Sequence, residues 1–234
     1  MLIDAGGASF SDFQTGRRCV LPFIIQKKIR VRWTAVSHYH PDHVKGIAEI
    51  IGILQPEELW ISSEAVEDEF FRQLLAAKPK KTILRKIGRG FVKDIDGCSV
   101  ACLSPSRFVQ ADAAENNHSM VLRVTDGCAA FLFCGDIEKT AEAELAESFN
   151  PGLSSSVLKL PHHGSRTSSG APFLDLVRPQ VAVISVPAYS SYGFPNLEVI
   201  DRLKQRNIRW LSTARSGGIM IASLPDGLGI EVSK

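Results

Sequence analysis

The sequence predicts an α/β chain, read as a single domain over residues 1–234, with two sheets and helices on their outer faces. Three observations predict it. Strand-like and helix-like runs alternate from end to end, with no internal repeat and no linker. The 234 residues are 44% hydrophobic, enough for a core that needs no covalent staples. All six histidines (38, 40, 43, 118, 162 and 163) fall at strand ends or just before a strand, and none on a helix face. Ligands bind off the carboxyl ends of strands in such sheets, so the histidines can converge on one edge.

The elements follow in order. MLID is a short apolar strand that runs into Gly6-Gly7. It reads as a strand already under way, so the domain is expected to be truncated at its N-terminus. Residues 20–28 predict a helical turn or two, and the β-branched run 29–37 a strand that ends at a histidine cluster. Apolar spacing predicts a helix over 43–54, stopped by Pro56. ELWIS is a strand, and 63–78 an amphipathic helix with Ser63 as N-cap. TILRKI, FVKDI and CSVACLS are three strands, followed by a polar loop over 107–119. Residues 120–136 form a hairpin turned at Asp126-Gly127. A helix follows over 138–149, then a strand over 156–165 that ends in histidines. APFLDLV and NLEVIDRLKQRN are helices, VAVISV and IRWLST strands, and GGIMIASL with LGIEVS a closing hairpin.

Composition excludes several classes. The five cysteines are odd in number and form no CxxC pair, which excludes a disulfide framework and a thiolate zinc knuckle. Cys128 and Cys134 sit in apolar runs and read as core residues. No apolar run approaches the ~18 residues of a membrane span. The start is not a signal peptide. A formal net charge of +2 does not announce a nucleic-acid binder, although a local basic patch is compatible with it.

The chemistry lies in four places. In SHYHPDHVKG (37–46), His38 and His40 are two apart on an extended segment, so their rings share a side and can chelate one metal. Asp42 and His43 follow at the turn into a helix and can face a second, with Pro41 fixing φ between the pairs. Four ligand-type residues in the order H-x-H-x-D-H mark a metal site. In LFCGDIEK, a strand delivers Asp136, a carboxylate that could bridge two cations; taken alone, Gly135-Asp136 is also an ordinary turn. In LKLPHHGSRTSS, one of His162 and His163 can ligate metal while the other turns to substrate. Ser165, Arg166, Thr167 and Ser168 offer donors to a phosphate, or form a solvated loop. His118 precedes the hairpin strand, and pairing across that hairpin could bring it to the site.

LIDAGG, SHYHPDH, NNHS, GDI and PHHGS, in this order, resemble a metallo-β-lactamase-fold protein. NNHSMVLRV, FLFCGDIEKTAEAEL and VLKLPHHGSRTSS closely resemble the hydrolase domain of ComEC-type DNA-internalization competence proteins, through nearly the whole chain. The resemblance implies a four-layer αββα sandwich with two divalent metal ions, zinc or manganese. It gives His38, His40 and His118 to the first metal, and Asp42, His43 and His163 to the second. Asp136 would bridge, Asp4 would support without ligating, and Asp42 and His162 would be catalytic. It implies a phosphodiesterase or nuclease acting on DNA, on a single strand or the strand being degraded, in competence-type uptake. A metal-bridging hydroxide would attack phosphorus. Carboxyl-ester, lactone or β-lactam hydrolysis is the alternative, and a degenerate DNA- or partner-binding domain a second one. If excised from a competence protein, the domain could partner that protein's membrane channel and would face outside the cytoplasm; a complete chain would be cytoplasmic. Three departures from the family pattern stand out: Lys45-Gly46 for Gly-Gly, Tyr192-Gly193-Phe194-Pro195-Asn196 without its histidines, and Thr213-Ala214 for Thr-Asp.

Overall fold

Leu2–Ile3 (β1), Trp33–Val36 (β2), Glu58–Ser62 (β3) and Ile83–Ile87 (β4) make an all-parallel sheet in the order β1-β2-β3-β4. Every residue of β2 and β3 is buried, as a central parallel strand requires. The computed structural model describes residues 1–7, 12–64, 68–106, 115–188 and 193–233. The chain divides into two compact units, Met1–Gly88 and Arg89–Lys234, and this sheet belongs to the first.

Three helices accompany the sheet: Leu21–Gln26 (α1), Pro41–Leu54 (α2) and Glu69–Ala77 (α3). A π turn over Gly16–Val20 leads into α1, so helical structure starts earlier than residue 20. The strand expected over 29–37 is confined to β2. The Ile29 amide is already spent on Ile24 O at 2.9 Å, closing α1, and cannot join a ladder. Val44, Ile47 and Ile51 of α2 pack with Leu59, Ile61, Phe71 and Leu74 in one core. Each fully buried side chain of this kind contributes about 1.5–3 kcal/mol. The N-cap of α3 is Asp68, whose Oδ1 accepts from Phe71 N at 2.8 Å, and not Ser63. The Ser63 amide donates instead to Ile87 O at 2.9 Å. Residues 65–67 of the expected helix, and 107–114 of the expected loop, lie outside the described residues.

The second unit holds a seven-stranded sheet built from Val92–Ile95 (β5), Cys98–Ser104 (β6), Val121–Thr125 (β7), Ala130–Phe133 (β8), Val157–Lys159 (β9), Val181–Ile184 (β10) and Arg209–Ser212 (β11). Its order is β11-β10-β9-β8-β7-β6-β5. From β5 to β8 the pairs are antiparallel; from β8 to β11 they are parallel. Each parallel link is crossed by a helix, as parallel pairing demands: Lys139–Phe149 (α4), Ala171–Val177 (α5) and Leu197–Gln205 (α6). Parallel strands end at a common edge, so the segments that follow β8, β9 and β10 emerge together. A short helix, Thr213–Ser216 (α7), leads to a separate hairpin of Gly218–Leu224 (β12) and Gly227–Ser233 (β13). The core joins Leu132, Leu158 and Ala182 of the sheet to Leu145, Leu174 and Leu203 of the helices.

Two local expectations change. The β7–β8 turn is four residues long, because Asp126 Oδ1 accepts from both Cys128 N at 3.0 Å and Ala129 N at 2.9 Å. Cys128 is therefore exposed at the tip, and only Cys134 of that pair is a core residue. All five cysteines are free thiols, and burial pushes that of Cys102 up to about 12. Among the described residues, no helix is long and apolar enough to cross a membrane.

Candidate metal centre

In the first unit, the parallel pairing of β1 and β2 brings Asp4 beside Ser37. The Asp4 amide extends the ladder to Ala35 O at 2.9 Å, and its carboxylate turns onto the next segment. Oδ1 accepts from Ser37 N at 2.8 Å, and Oδ2 from Ser37 Oγ at 2.8 Å. Oδ2 also meets His43 Nδ1 at 2.8 Å. Burial alone would raise the Asp4 pKa, but His43 and the Ser37 amide hold it below the ordinary value. Asp4 is thus an ionised acceptor, so His43 Nδ1 carries the proton. The Ser37 hydroxyl proton is spent on Asp4, so its oxygen accepts from His38 Nδ1 at 3.1 Å. One carboxylate and one hydroxyl thereby set both tautomers, with Nε2 of His38 and His43 on the far side of each ring.

His40 occupies the N-cap of α2 and Pro41 its first turn. His43 lies in that first turn and is buried, so it does sit on a helix face, contrary to the expectation for the histidines. The His38 ring lies 4.6 Å from that of His40 and 4.2 Å from that of His43. Asp42 Oδ2 is 4.0 Å from His43 Nε2. Close backbone approach fixes this corner: Ala5 N donates to His43 O at 3.1 Å and Gly46 N to Gly6 O at 2.9 Å. A Cβ at Gly46 would stand 2.1 Å from Ala5 O, so this position admits only glycine.

In the second unit, β8 delivers Asp136 and β9 delivers the paired histidines. His162, His163 and Gly164 follow one another at φ 48°, 53° and 79°, all left-handed. The His162 amide donates to Gly135 O at 3.2 Å, tying the turn to the residue before Asp136. His163 Nδ1 lies 2.7 Å from Ser185 O, just past β10. A carbonyl oxygen only accepts, so Nδ1 bears the proton. Its Nε2 faces Asp136 Oδ2 at 3.4 Å. Asp136 is buried, and its amide donates to Ser119 Oγ at 3.1 Å. His118, also buried, ends the 3-10 turn Glu115–His118 directly before Ser119.

His162 turns to a different set. Its Nδ1 lies 3.2 Å from Glu138 Oε1, which also accepts from Thr167 Oγ1 at 3.0 Å and Asn116 Nδ2 at 3.3 Å. Asn117 Oδ1 in turn accepts from Glu138 N at 2.8 Å. Phe194, where the resemblance expects a histidine, stands edge-on to His162 at 5.7 Å and stacks on His163 at 6.5 Å. Tyr192 of the same segment lies outside the described residues. Thr213 Oγ1 donates to Val186 O at 2.7 Å and accepts from Val186 N at 2.8 Å, holding the residue after Ser185.

The hydroxyl-rich loop divides in two. Arg166 and Thr167 are exposed. Ser165 and Ser168 are buried, and Ser168 Oγ bonds to Pro161 O and Ser165 O, both at 3.0 Å. Ser37, Asn116, Glu138 and Ser185 escaped the sequence reading. Three of them lie inside motifs already singled out; Ser185 acts through its carbonyl and leaves no sequence signal. The donor chemistry of both clusters, imidazole nitrogens beside carboxylates, suits divalent ions, a borderline-to-hard set.

A family model described as the metallo-beta-lactamase superfamily matches residues 1–188. The chain is 29% identical over 231 residues to ComE operon protein 3 of Bacillus subtilis, covering 94% of this chain and 29% of that protein. It is 30% identical over 215 residues to Recombination protein 2 of Haemophilus influenzae, covering 92% of this chain and 25% of that protein. It therefore spans under a third of these relatives' lengths. Among solved structures, Tm1679, described as a metal-dependent hydrolase of the beta-lactamase superfamily, aligns with a TM-score of 0.50 at 13% identity. That alignment covers 89% of this chain and 93% of the other, a likeness of fold.

Proposed function

The chain belongs to the metallo-β-lactamase superfamily, and on that premise we propose that it is a metal-dependent phosphodiesterase acting on DNA. The observation that carries the reading is the imidazole orientation. His38, His43 and His163 each engage a protein oxygen through Nδ1, and Nε2 of the last two faces a carboxylate, Asp42 at 4.0 Å and Asp136 at 3.4 Å. By resemblance, His38, His40 and His118 would hold one ion and Asp42, His43 and His163 the other, with Asp136 bridging. Bound zinc or manganese ions would supply activated water and take up charge on the phosphoryl oxygens.

The remaining roles belong to the chain's own groups. Asp42, whose side chain is far more exposed than that of His43, would orient the attacking water. Glu138 holds the Nδ1 side of His162, so its Nε2 can exchange a proton with the leaving oxygen. Arg166 and Thr167, both exposed, would bind phosphate; Ser165 and Ser168 would shape the loop that presents them. DNA as substrate is supported by the recombination name of the Haemophilus influenzae relative.

The test is elemental analysis of the purified chain, then assays on single-stranded DNA, a nitrophenyl phosphodiester, a nitrophenyl ester and a chromogenic β-lactam. Chelator and His40→Ala should both abolish phosphodiester hydrolysis. Activity confined to the ester or lactam would replace the substrate assignment. A chain that binds no divalent metal would overturn the reading and leave the degenerate binding domain.

A further inference from the structure

The loop that carries His162 and His163 is held from behind by opposite charges on two helices. Glu142 of α4 is 2% exposed. One of its carboxylate oxygens accepts from Ser169 N, and the other from Gly170 N at 2.8 Å. Arg202 of α6 supplies the complement: its Nη1 donates to Ser168 O at 2.9 Å and Ser169 O at 2.8 Å. Across Ser168, Ser169 and Gly170, two backbone amides are thus fixed by an acid and two carbonyls by a base. Ser168 Oγ passes this hold to the start of the loop through Pro161 O and Ser165 O. A Cβ at Gly170 would stand 3.1 Å from Glu142 Oε2, so the clamp closes against bare backbone.

The loop needs such a hold. His162, His163 and Ser169 are non-glycine residues at φ 48°, 53° and 54°, a conformation that persists only where its surroundings impose it. The geometry points to Glu142 and Arg202 as positioning residues: a two-helix charge clamp that keeps His163 on Asp136 and presents Arg166 and Thr167. The inference rests on the proposed role of this loop in hydrolysis. Neither residue touches the reacting groups. Burial pushes Glu142 up to about 7, with Gly170, Ser169, Arg202 and Lys139 pulling the other way. Cys134, at the end of β8, also feels the Glu142 charge, whereas Asp175 of α5 is engaged by Arg206.

The test uses the metal-loaded chain with Glu142→Gln, Arg202→Met and Arg202→Lys. Amide exchange at Ser169 and Gly170 should quicken roughly tenfold or more in the first two variants, with β2 unchanged. kcat on a phosphodiester should fall by about the same factor while KM stays within about twofold. Arg202→Lys, which keeps the charge but not the fork, should recover part of both. Removing Arg202 should also move the Glu142 titration to higher pH, which a purely steric role would not do. Unchanged exchange at Ser169 and Gly170, or unchanged kcat in both Glu142→Gln and Arg202→Met, overturns the clamp. If the wild type itself hydrolyses nothing, the functional reading fails, and the exchange data still decide whether the clamp exists.

Discussion

The two histidine clusters are built by opposite means. In the first unit, side chains hold side chains: Asp4 and Ser37 fix His38 and His43 through bonds of 2.8–3.1 Å, on a backbone locked by Gly46. In the second unit, the backbone does the holding. Ser185 O fixes His163, and residues 161–170 run through left-handed turns stayed by Glu142 and Arg202. The first arrangement is compact and local in sequence on the α2 side. The second draws on four distant segments and stores backbone strain. A single change should therefore silence a ligand in the first cluster, while changes far from the ligands should loosen the second.

The largest expected effect is shared by the two clusters. His43→Ala and His163→Ala should each reduce phosphodiester hydrolysis to background, with lower metal content by elemental analysis. Equal loss in both would show that neither cluster works alone. Next comes Asp4→Asn, which puts an amide where His43 needs a carboxylate. It should weaken metal binding by about 10–100-fold with the fold intact, as measured by chelator competition.

Glu142 gives a pH test that belongs to the second unit alone. Its folded pKa is raised by burial from 4.5 to about 7, so the folded state binds the proton more tightly than the unfolded one. Stability from this group is present below about pH 4.5, is lost as pH rises through about 7, and then levels off. The full difference is roughly 3 kcal/mol. Urea unfolding at pH 5 and pH 8 should show it, and Glu142→Gln should flatten it. The smallest effect is Ser168→Ala, expected to cost about 1 kcal/mol through its bonds to Pro161 and Ser165. A loss of kcat/KM far beyond that would instead place its hydroxyl on substrate.

Much of this was legible in the sequence, for identifiable reasons. Ligand-type residues in H-x-H-x-D-H and the paired histidines at a strand end announce their chemistry locally, and strand–helix alternation announces an α/β chain with two sheets. What stayed hidden was set by distant partners. Ser63 reads as a cap, but its amide is claimed by Ile87; residues 29–32 read as strand, but Ile29 closes α1. Glu138 and Asn116 sat inside quoted motifs, yet their meeting at His162 depends on how β7, β8 and β9 stack. Glu142 reads as one more acid of the helix over 138–149; its burial is set by distant packing.

The bond between Asp4 and His43 has a spectroscopic consequence. Its proton lies on a ring that is 1% exposed, between a charged oxygen and an imidazole nitrogen 2.8 Å apart. Such a proton exchanges slowly with water and is strongly deshielded. In a nitrogen-15-labelled sample it should give an isolated downfield resonance that Asp4→Asn erases. That single line would report the state of the first cluster without substrate or assay.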